Sequence, residues 1–101
     1  MNADVAAKRA QVADLCRRTG VKRLDVFGSA TGDTFDDDSD VDVLVEFDSA
    51  PGFDAFGAYF DLKEGLEAIF GRSVDIVTPR GMENPYFRER VNSTKELLYA
   101  A

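Results

Sequence analysis

The chain has 101 residues, of which 45% are hydrophobic and 31% charged, and its formal net charge is −7 at neutral pH. This length allows one domain around a single core, which we expect to span residues 1–101. The acidic balance argues against nucleic acid as a direct partner, because phosphate binding needs clustered Lys and Arg. The sequence contains no histidine, so a His-based catalytic triad and a typical zinc site are excluded.

The sequence shows neither a long apolar run nor a charged segment followed by an apolar one. We therefore expect neither a membrane span nor a signal peptide. Cys16 is the single cysteine, which excludes an internal disulfide and fits a reducing cytoplasm. A cytoplasmic protein is the expectation.

The first predicted elements are a helix and a short strand. Residues 2–19 have near-helical apolar spacing, with Asn2 as the N-cap and Gly20 as the stop. Residues 24–27 form an apolar run that ends at Gly28. A short helical turn is predicted over residues 29–32, followed by an acidic loop over residues 33–39.

The segment from residue 41 to residue 47 alternates strictly between two faces. Its valines point to one side, whereas Asp40 and Asp42 share the other, as in a half-buried strand. Carboxylates two residues apart on a strand are about 7 Å apart at their Cα atoms, so they can converge on a hard cation. The Gly28-Ser29 turn offers backbone N–H groups to an anion. Together these features indicate a phosphoryl- or nucleotidyl-transfer site.

A second helix is predicted over residues 53–70, with a core-facing set made of Phe56, Tyr59, Leu62, Leu66, Ile69 and Phe70. Gly65 lies within this helix and suggests close packing. Residues 73–78 are predicted to form a third strand, and its centre carries Asp75. A carboxylate in a strand that otherwise looks buried needs a cation or a hydrogen-bonding partner.

The last predicted element is a helix that begins at Asn84-Pro85, a cap followed by a proline at the first helical position. We expect its buried stripe to comprise Phe87, Val91 and Leu98. Arg88 and Arg90 could reach a triphosphate or a partner protein, although a solvated helix face also accounts for them. The predicted class is α/β (α+β): a small mixed sheet flanked by helices, in the order α-β-(short α)-β-α-β-α.

The central pattern is Gly28-Ser29, ten residues, then Asp40-Val41-Asp42 and an alternating strand. This pattern resembles the signature of the DNA polymerase beta-type nucleotidyltransferase superfamily. Within it, the chain resembles the minimal nucleotidyltransferases (MNT), which are commonly paired with HEPN-domain toxins as antitoxins. The resemblance continues through three further segments: residues 58–64, residues 70–77 and residues 84–87.

The resemblance implies a minimal nucleotidyltransferase fold and a two-metal site. Asp40 and Asp42 would hold two Mg²⁺ ions, and Asp75 would be the third catalytic and metal-binding carboxylate. Gly28 and Ser29 would bind the phosphates of ATP, which is the substrate. Many members have an Arg soon after the Gly-Ser, where this chain has Ala30. Arg72, Arg80 or a partner residue would then have to meet the triphosphate.

Three functions remain open from the sequence. In the first, an antitoxin transfers AMP from ATP to a hydroxyl group, most simply of a tyrosine, on a HEPN-domain toxin. In the second, the protein is a binding module that neutralises its partner by occlusion. In the third, it modifies a small molecule such as an antibiotic, but such enzymes usually use a helical second domain that is not seen here. We expect a hetero-oligomer with the HEPN toxin, and no direct contact with nucleic acid or membrane.

Overall fold

The computed structural model describes residues 2–31, 40–48, 52–79 and 83–101. Within these ranges the chain forms four α-helices, four β-strands and one 3₁₀ turn. In chain order they are α1 (Ala3–Ala7), α2 (Arg9–Thr19), β1 (Val21–Phe27), the 3₁₀ turn (Gly28–Thr31), β2 (Val41–Phe47), α3 (Ala55–Phe70), β3 (Val74–Val77), α4 (Pro85–Thr94) and β4 (Glu96–Ala100). The predicted acidic loop over residues 33–39 lies outside the described ranges.

The helix ends follow the capping residues that the sequence indicated. The Asn2 side chain accepts a hydrogen bond from the Asp4 N–H at 2.8 Å, and Gly20 ends α2 in the left-handed conformation. Asn84 caps α4 with Pro85 in its first turn. The single helix predicted over residues 2–19 is instead two helices, because Lys8 leaves helical geometry between α1 and α2.

The four strands form one mixed sheet in the order β3-β2-β1-β4. β1 lies between β2 and β4 and is antiparallel to both, whereas β2 and β3 are parallel. Parallel neighbours need a crossover connection, and α3 supplies it between β2 and β3. This α+β architecture confirms the predicted fold class.

Each face of the sheet has its own apolar cluster. Helices α1, α2 and α3 cover one face, where the valines of β2 (Val41, Val43, Val45) are fully buried. The opposite face carries a smaller cluster of Phe27, Leu44 and Val91, the last of these from α4. The predicted alternation of β2 is therefore confirmed, and it places Asp42 on the α4 face together with Leu44.

The C-terminal segment corrects the sequence-based prediction. α4 ends at Thr94, and Glu96–Ala100 forms β4 beside β1. Leu98 is 3% exposed and contributes to the α1–α3 core from this strand, not from a helical stripe. The apolar positions 91 and 98 are two helical turns apart, so their local spacing predicts one helix. Residue 98 is instead part of a strand because its segment pairs with β1.

Two positions of α3 test the prediction of its buried face. Phe56 is 76% exposed and packs against Phe60 at 4.9 Å between ring centroids, so its predicted core position is wrong. Gly65, by contrast, marks close packing as predicted. A Cβ atom there would lie 2.6 Å from Cδ2 of Leu15 on α2.

None of the helices in the described part of the chain is long and apolar enough to cross a membrane.

Candidate active site

Two of the predicted site carboxylates lie side by side on neighbouring strands. Asp42 is the second residue of β2, and the parallel register places it opposite Asp75, the second residue of β3. Neighbouring strands are about 4.8 Å apart, and residues in register point to the same face. The Asp75 carboxylate is close enough to Asp42 for its charge to raise the pKa of the Asp42 carboxyl. The sheet thus brings together two residues that are 33 positions apart in the chain.

Helix α3 holds the start of β3 in this register. The Lys63 ammonium group donates a hydrogen bond to the Val74 carbonyl at 2.7 Å, and the Val74 N–H donates to the Glu67 carboxylate at 3.1 Å. These contacts satisfy both backbone groups of Val74 on this edge strand. Because β3 has only four residues, we infer that they help to keep Asp75 opposite Asp42.

The electrostatics of Asp42 show a concentration of negative charge. Partial burial raises the pKa of the Asp42 carboxyl, and the charges of Asp75 and Asp40 raise it further. Arg90 of α4 acts in the opposite direction and lowers this pKa. Three acids and one arginine are therefore close enough to influence one another, as expected for a site that accepts a cation.

Asp75 differs in one respect from the prediction. Its side chain is exposed, not buried, so the cost of a buried unpaired charge does not explain its presence. Among the described strands, β3 lies at the edge of the sheet, a position that allows Asp75 to be exposed. The expected proximity to the β2 carboxylate is nevertheless what the register shows.

The predicted phosphate-binding turn begins directly beside Asp42. Phe27, the last residue of β1, pairs with Asp42 across the sheet, and Gly28 follows with φ +68°. A Cβ atom at Gly28 would lie 3.0 Å from Oδ2 of Asp42. Only glycine therefore combines this backbone conformation with such a close approach to the carboxylate.

Two hydroxyl groups hold the shape of this turn. The Thr31 hydroxyl donates to the Gly28 carbonyl at 2.7 Å, and the Gly28 N–H donates to the Thr94 hydroxyl at 3.2 Å. The side chain of Ser29 lies outside the part of the molecule that the structure describes. Its role in phosphate binding therefore stays a prediction.

The described residues give a partial answer on metal binding. Among residues 2–31, 40–48, 52–79 and 83–101, no three acidic, histidine or cysteine side chains converge as a ready metal site. Asp42 and Asp75 are paired, and Asp40, which is exposed just before β2, acts on Asp42 through its charge. Carboxylate oxygens are the ligands that Mg²⁺ prefers. The donor chemistry and the mutual repulsion of the acids fit a hard cation.

The sequence does not mark Thr94 as a site residue, and it leaves Arg90 open between contact with a triphosphate or partner protein and a solvated helix face. Both residues belong to α4, whose place over the site depends on Phe87 and Val91 packing against Phe27. Their spacing is the sequence signal that could have indicated these two residues, because positions 90, 91 and 94 lie about one turn apart on the same helix. Only the packing of α4 shows that this turn faces the Gly28 turn.

Comparison with known proteins identifies the family. A family model described as a nucleotidyltransferase domain matches residues 8–98. The chain belongs to the nucleotidyltransferase domain family. This nucleotidyltransferase is 38% identical over 71 residues to the protein adenylyltransferase MntA of Thermococcus cleftensis, covering 70% of this chain and 69% of the relative. It is 35% identical over 79 residues to MJ1379 of Methanocaldococcus jannaschii, a candidate protein adenylyltransferase, covering 78% and 76%.

Solved structures agree with this assignment. A candidate minimal nucleotidyltransferase superposes with a TM-score of 0.72 at 39% identity, covering 89% of this nucleotidyltransferase and 88% of the other chain. A toxin-antitoxin structure with AMP-PNP superposes with a TM-score of 0.68 at 21% identity, covering 92% and 73%. A tri-AMPylated HEPN toxin of Shewanella oneidensis in complex with its MNT antitoxin gives 0.63 at 18% identity, covering 96% and 73%. The first supports the family, and the other two show the shared fold. The predicted minimal nucleotidyltransferase fold is thus confirmed.

Proposed function

We propose that this nucleotidyltransferase is an antitoxin that transfers AMP from ATP to a hydroxyl group of a HEPN-type partner protein. The observation that carries the proposal is the register of β2 and β3, which pairs Asp42 with Asp75 beside the Gly28 turn. Acidic side chains next to a close backbone approach suit a triphosphate and its metal ions. The naming of its relatives as protein adenylyltransferases supports AMP transfer to a protein.

In this proposal the chain's residues divide the work between metal binding and phosphate binding. Asp40, Asp42 and Asp75 would hold two Mg²⁺ ions, which when bound neutralise phosphate charge and lower the pKa of the attacking hydroxyl. Gly28 lets the backbone approach the β- and γ-phosphates, because no side chain intervenes between it and Asp42. Ser29 would add a hydroxyl and an amide donor at the start of the turn.

The reaction exchanges one phosphorus–oxygen bond for another. The acceptor oxygen forms a bond to the α-phosphorus, and the bond from that phosphorus to the β-phosphate oxygen breaks, releasing pyrophosphate. The proton of the acceptor hydroxyl passes to a carboxylate, for which we propose Asp75. Asp75 suits this role because its side chain is exposed to an incoming acceptor and adjoins Asp42.

The relatives named as protein adenylyltransferases favour an acceptor that another folded protein presents. We propose a tyrosine of the HEPN-type partner, because a phenol presents its oxygen on a long, rigid side chain.

Intact mass spectrometry of the co-expressed partner tests the proposal. We expect the partner to gain one or more AMP groups with the parent protein and none with Asp40→Asn. Asp61→Asn is the matched control, since it removes the same charge from the exposed surface of α3 on the other face of the sheet. The control should modify the partner as the parent does.

The same experiment separates the alternatives. Neutralisation of the partner by Asp40→Asn without any change in mass would support occlusion and refute catalytic silencing. Transfer of AMP to a small hydroxyl compound, with an unmodified partner, would instead support the antibiotic-modifying class.

A further inference from the structure

The Thr94 hydroxyl joins helix α4 to the predicted phosphate-binding turn. The Thr94 hydroxyl accepts the Gly28 N–H at 3.2 Å and donates to the Arg90 carbonyl at 2.9 Å. The Thr94 side chain thus connects Gly28, the first residue of the 3₁₀ turn, to Arg90, which lies one helical turn before Thr94 on α4. The backbone of Arg90 is held at a defined position relative to Gly28.

The core beneath α4 makes this position rigid. Val91, the neighbour of Arg90, is fully buried, and the Phe87 ring meets the Phe27 ring edge-on at 6.1 Å between centroids. Phe27 directly precedes Gly28 and pairs with Asp42. The contact between Phe27 and Phe87 therefore places α4 relative to the 3₁₀ turn and to β2.

The side chain of Arg90 is exposed, and its charge acts on the Asp42 carboxylate. An arginine that is close to this carboxylate without being buried against it can rearrange toward a ligand. A surface guanidinium also keeps its charge throughout the physiological pH range.

The turn itself provides no cation. Its four residues, Gly28-Ser29-Ala30-Thr31, carry no positive side chain, although a nucleoside triphosphate brings several negative charges to this place. Backbone N–H groups offset part of that charge, and metal ions at the carboxylates offset another part. The terminal phosphates still lack a charged hydrogen-bond donor from the turn.

We propose that Arg90 is the nucleotide-binding residue that meets the β- and γ-phosphates, held in place by the Thr94 link to the phosphate-binding turn. Its planar guanidinium offers paired N–H donors that match two phosphate oxygens. The proposal rests on the proposed function only in taking ATP as the substrate. It also predicts a specificity, because the Arg90 contact would strengthen the binding of a triphosphate but not that of a monophosphate.

The test compares the binding of ATP and of AMP by calorimetry in the presence of Mg²⁺. Arg90→Gln should weaken ATP binding by about 10-fold to 100-fold, the usual value of a charge-assisted hydrogen bond, and leave AMP binding unchanged. Arg90→Lys should fall between, because it keeps the charge but loses the paired donors. Since the Arg90 side chain is exposed, we expect all variants to fold.

Arg88→Gln is the matched control. It removes the same charge from the same helix, but two residues correspond to a rotation of about 200° around the helix axis. We expect Arg88→Gln to bind ATP as the parent does. An equal loss in both Gln variants would show a general charge effect and overturn the proposal.

The remaining outcomes are also decisive. Unchanged ATP binding by Arg90→Gln, or equal losses for ATP and AMP, would refute the role of Arg90 while leaving the proposed function intact. Arg90-dependent ATP binding without AMP transfer to a partner would refute the proposed function alone. A parent protein that binds no ATP would overturn both.

The Thr94 link gives a second measurement. Thr94→Val removes the hydroxyl at nearly constant volume, so it should raise the KM for ATP several-fold, and Thr94→Ser should restore it. If the Thr94 hydroxyl had a purely structural role, both variants would have a lower melting temperature, and Thr94→Ser would not restore the KM for ATP.

Discussion

At the scale of single residues, the environment of Asp42 disfavours the charged form of its carboxyl. Partial burial and two neighbouring acids raise the pKa of its carboxyl, and the charge of Arg90 opposes them. This arrangement favours a bound cation, because a cation would relieve the repulsion between the acids. The free protein should therefore gain stability when the charge is removed.

The first prediction concerns Asp42→Asn in metal-free buffer. A carboxyl whose pKa is raised by folding stabilises the protein at pH values below its unfolded pKa. That contribution is lost as the pH rises through the folded pKa. As the pH rises above the ordinary pKa of an Asp carboxyl, the parent should thus lose stability relative to Asp42→Asn. At neutral pH the variant should have the higher melting temperature. Thermal unfolding at a series of pH values measures the difference.

Two further observations complete this experiment. Mg²⁺ should raise the melting temperature of the parent more than that of Asp42→Asn, because the parent retains the carboxylate pair. Asp42→Asn should also lose AMP transfer while remaining folded. Parallel stability curves for the two proteins across the whole pH range would contradict the prediction.

The second prediction concerns Gly28. An alanine here would adopt a left-handed conformation at a cost of about 1–2 kcal/mol, and its Cβ would lie 3.0 Å from Oδ2 of Asp42. We expect Gly28→Ala to lose ATP binding by displacing the turn from the carboxylate. Gly52→Ala is the control, because Gly52 also has a positive φ but no atom within 4 Å of the added Cβ. Equal ATP affinity of Gly28→Ala and the parent would place the phosphates elsewhere.

At the scale of secondary-structure elements, the site depends on how two short elements are held. β3 has only four residues, and its first is hydrogen-bonded by Lys63 and Glu67 of α3. α4 ends at Thr94, whose hydroxyl reaches Gly28. One element brings Asp75 to Asp42 and the other brings Arg90, so each contributes a residue that β2 alone lacks.

The third prediction tests the assignment of β4 as a strand. Leu98 is 3% exposed and Leu97 is 44% exposed, as expected for neighbours on opposite faces of a sheet. Leu98→Ala should lower the free energy of unfolding by about 2–5 kcal/mol. Leu97→Ala, the matched control, should lower it by less than about 1 kcal/mol. Chemical denaturation measures both, and equal effects would contradict this placement.

At the scale of the whole molecule, the net charge of −7 bears on the partner. A toxin that acts on RNA would expose a basic surface, and an acidic protein would be steered toward it. Association driven in this way depends on ionic strength, because salt screens charges over about 8 Å at physiological concentration.

The fourth prediction follows for the rate of complex formation. For the HEPN-type partner proposed above, the association rate constant should fall as salt is added, while the dissociation rate constant changes much less. Stopped-flow measurements over a range of salt concentrations provide the test. An association rate that stays constant or rises with salt would refute electrostatic steering, whatever the fate of AMP transfer.

Several parts of this protein depend on local rules and can be predicted from the sequence alone. The alternation of β2 placed Asp40 and Asp42 on one face, and Gly28 marked the turn beside them. Asn2, Gly20 and the Asn84-Pro85 pair marked helix ends, because capping satisfies backbone groups within a few residues. These features need no knowledge of distant neighbours.

Which distant segments meet depends on tertiary packing and could not be predicted from local patterns. Position 98 fits a helical stripe locally, but pairing with β1 makes it part of a strand. Phe56 fits an apolar helix face, yet its side chain is exposed among the described residues. The pairing of Asp75 with Asp42 depends on strand order, and the link from Thr94 to Gly28 depends on helix packing. Long-range contacts of this kind are set by burial across the whole core, which no short stretch of sequence contains.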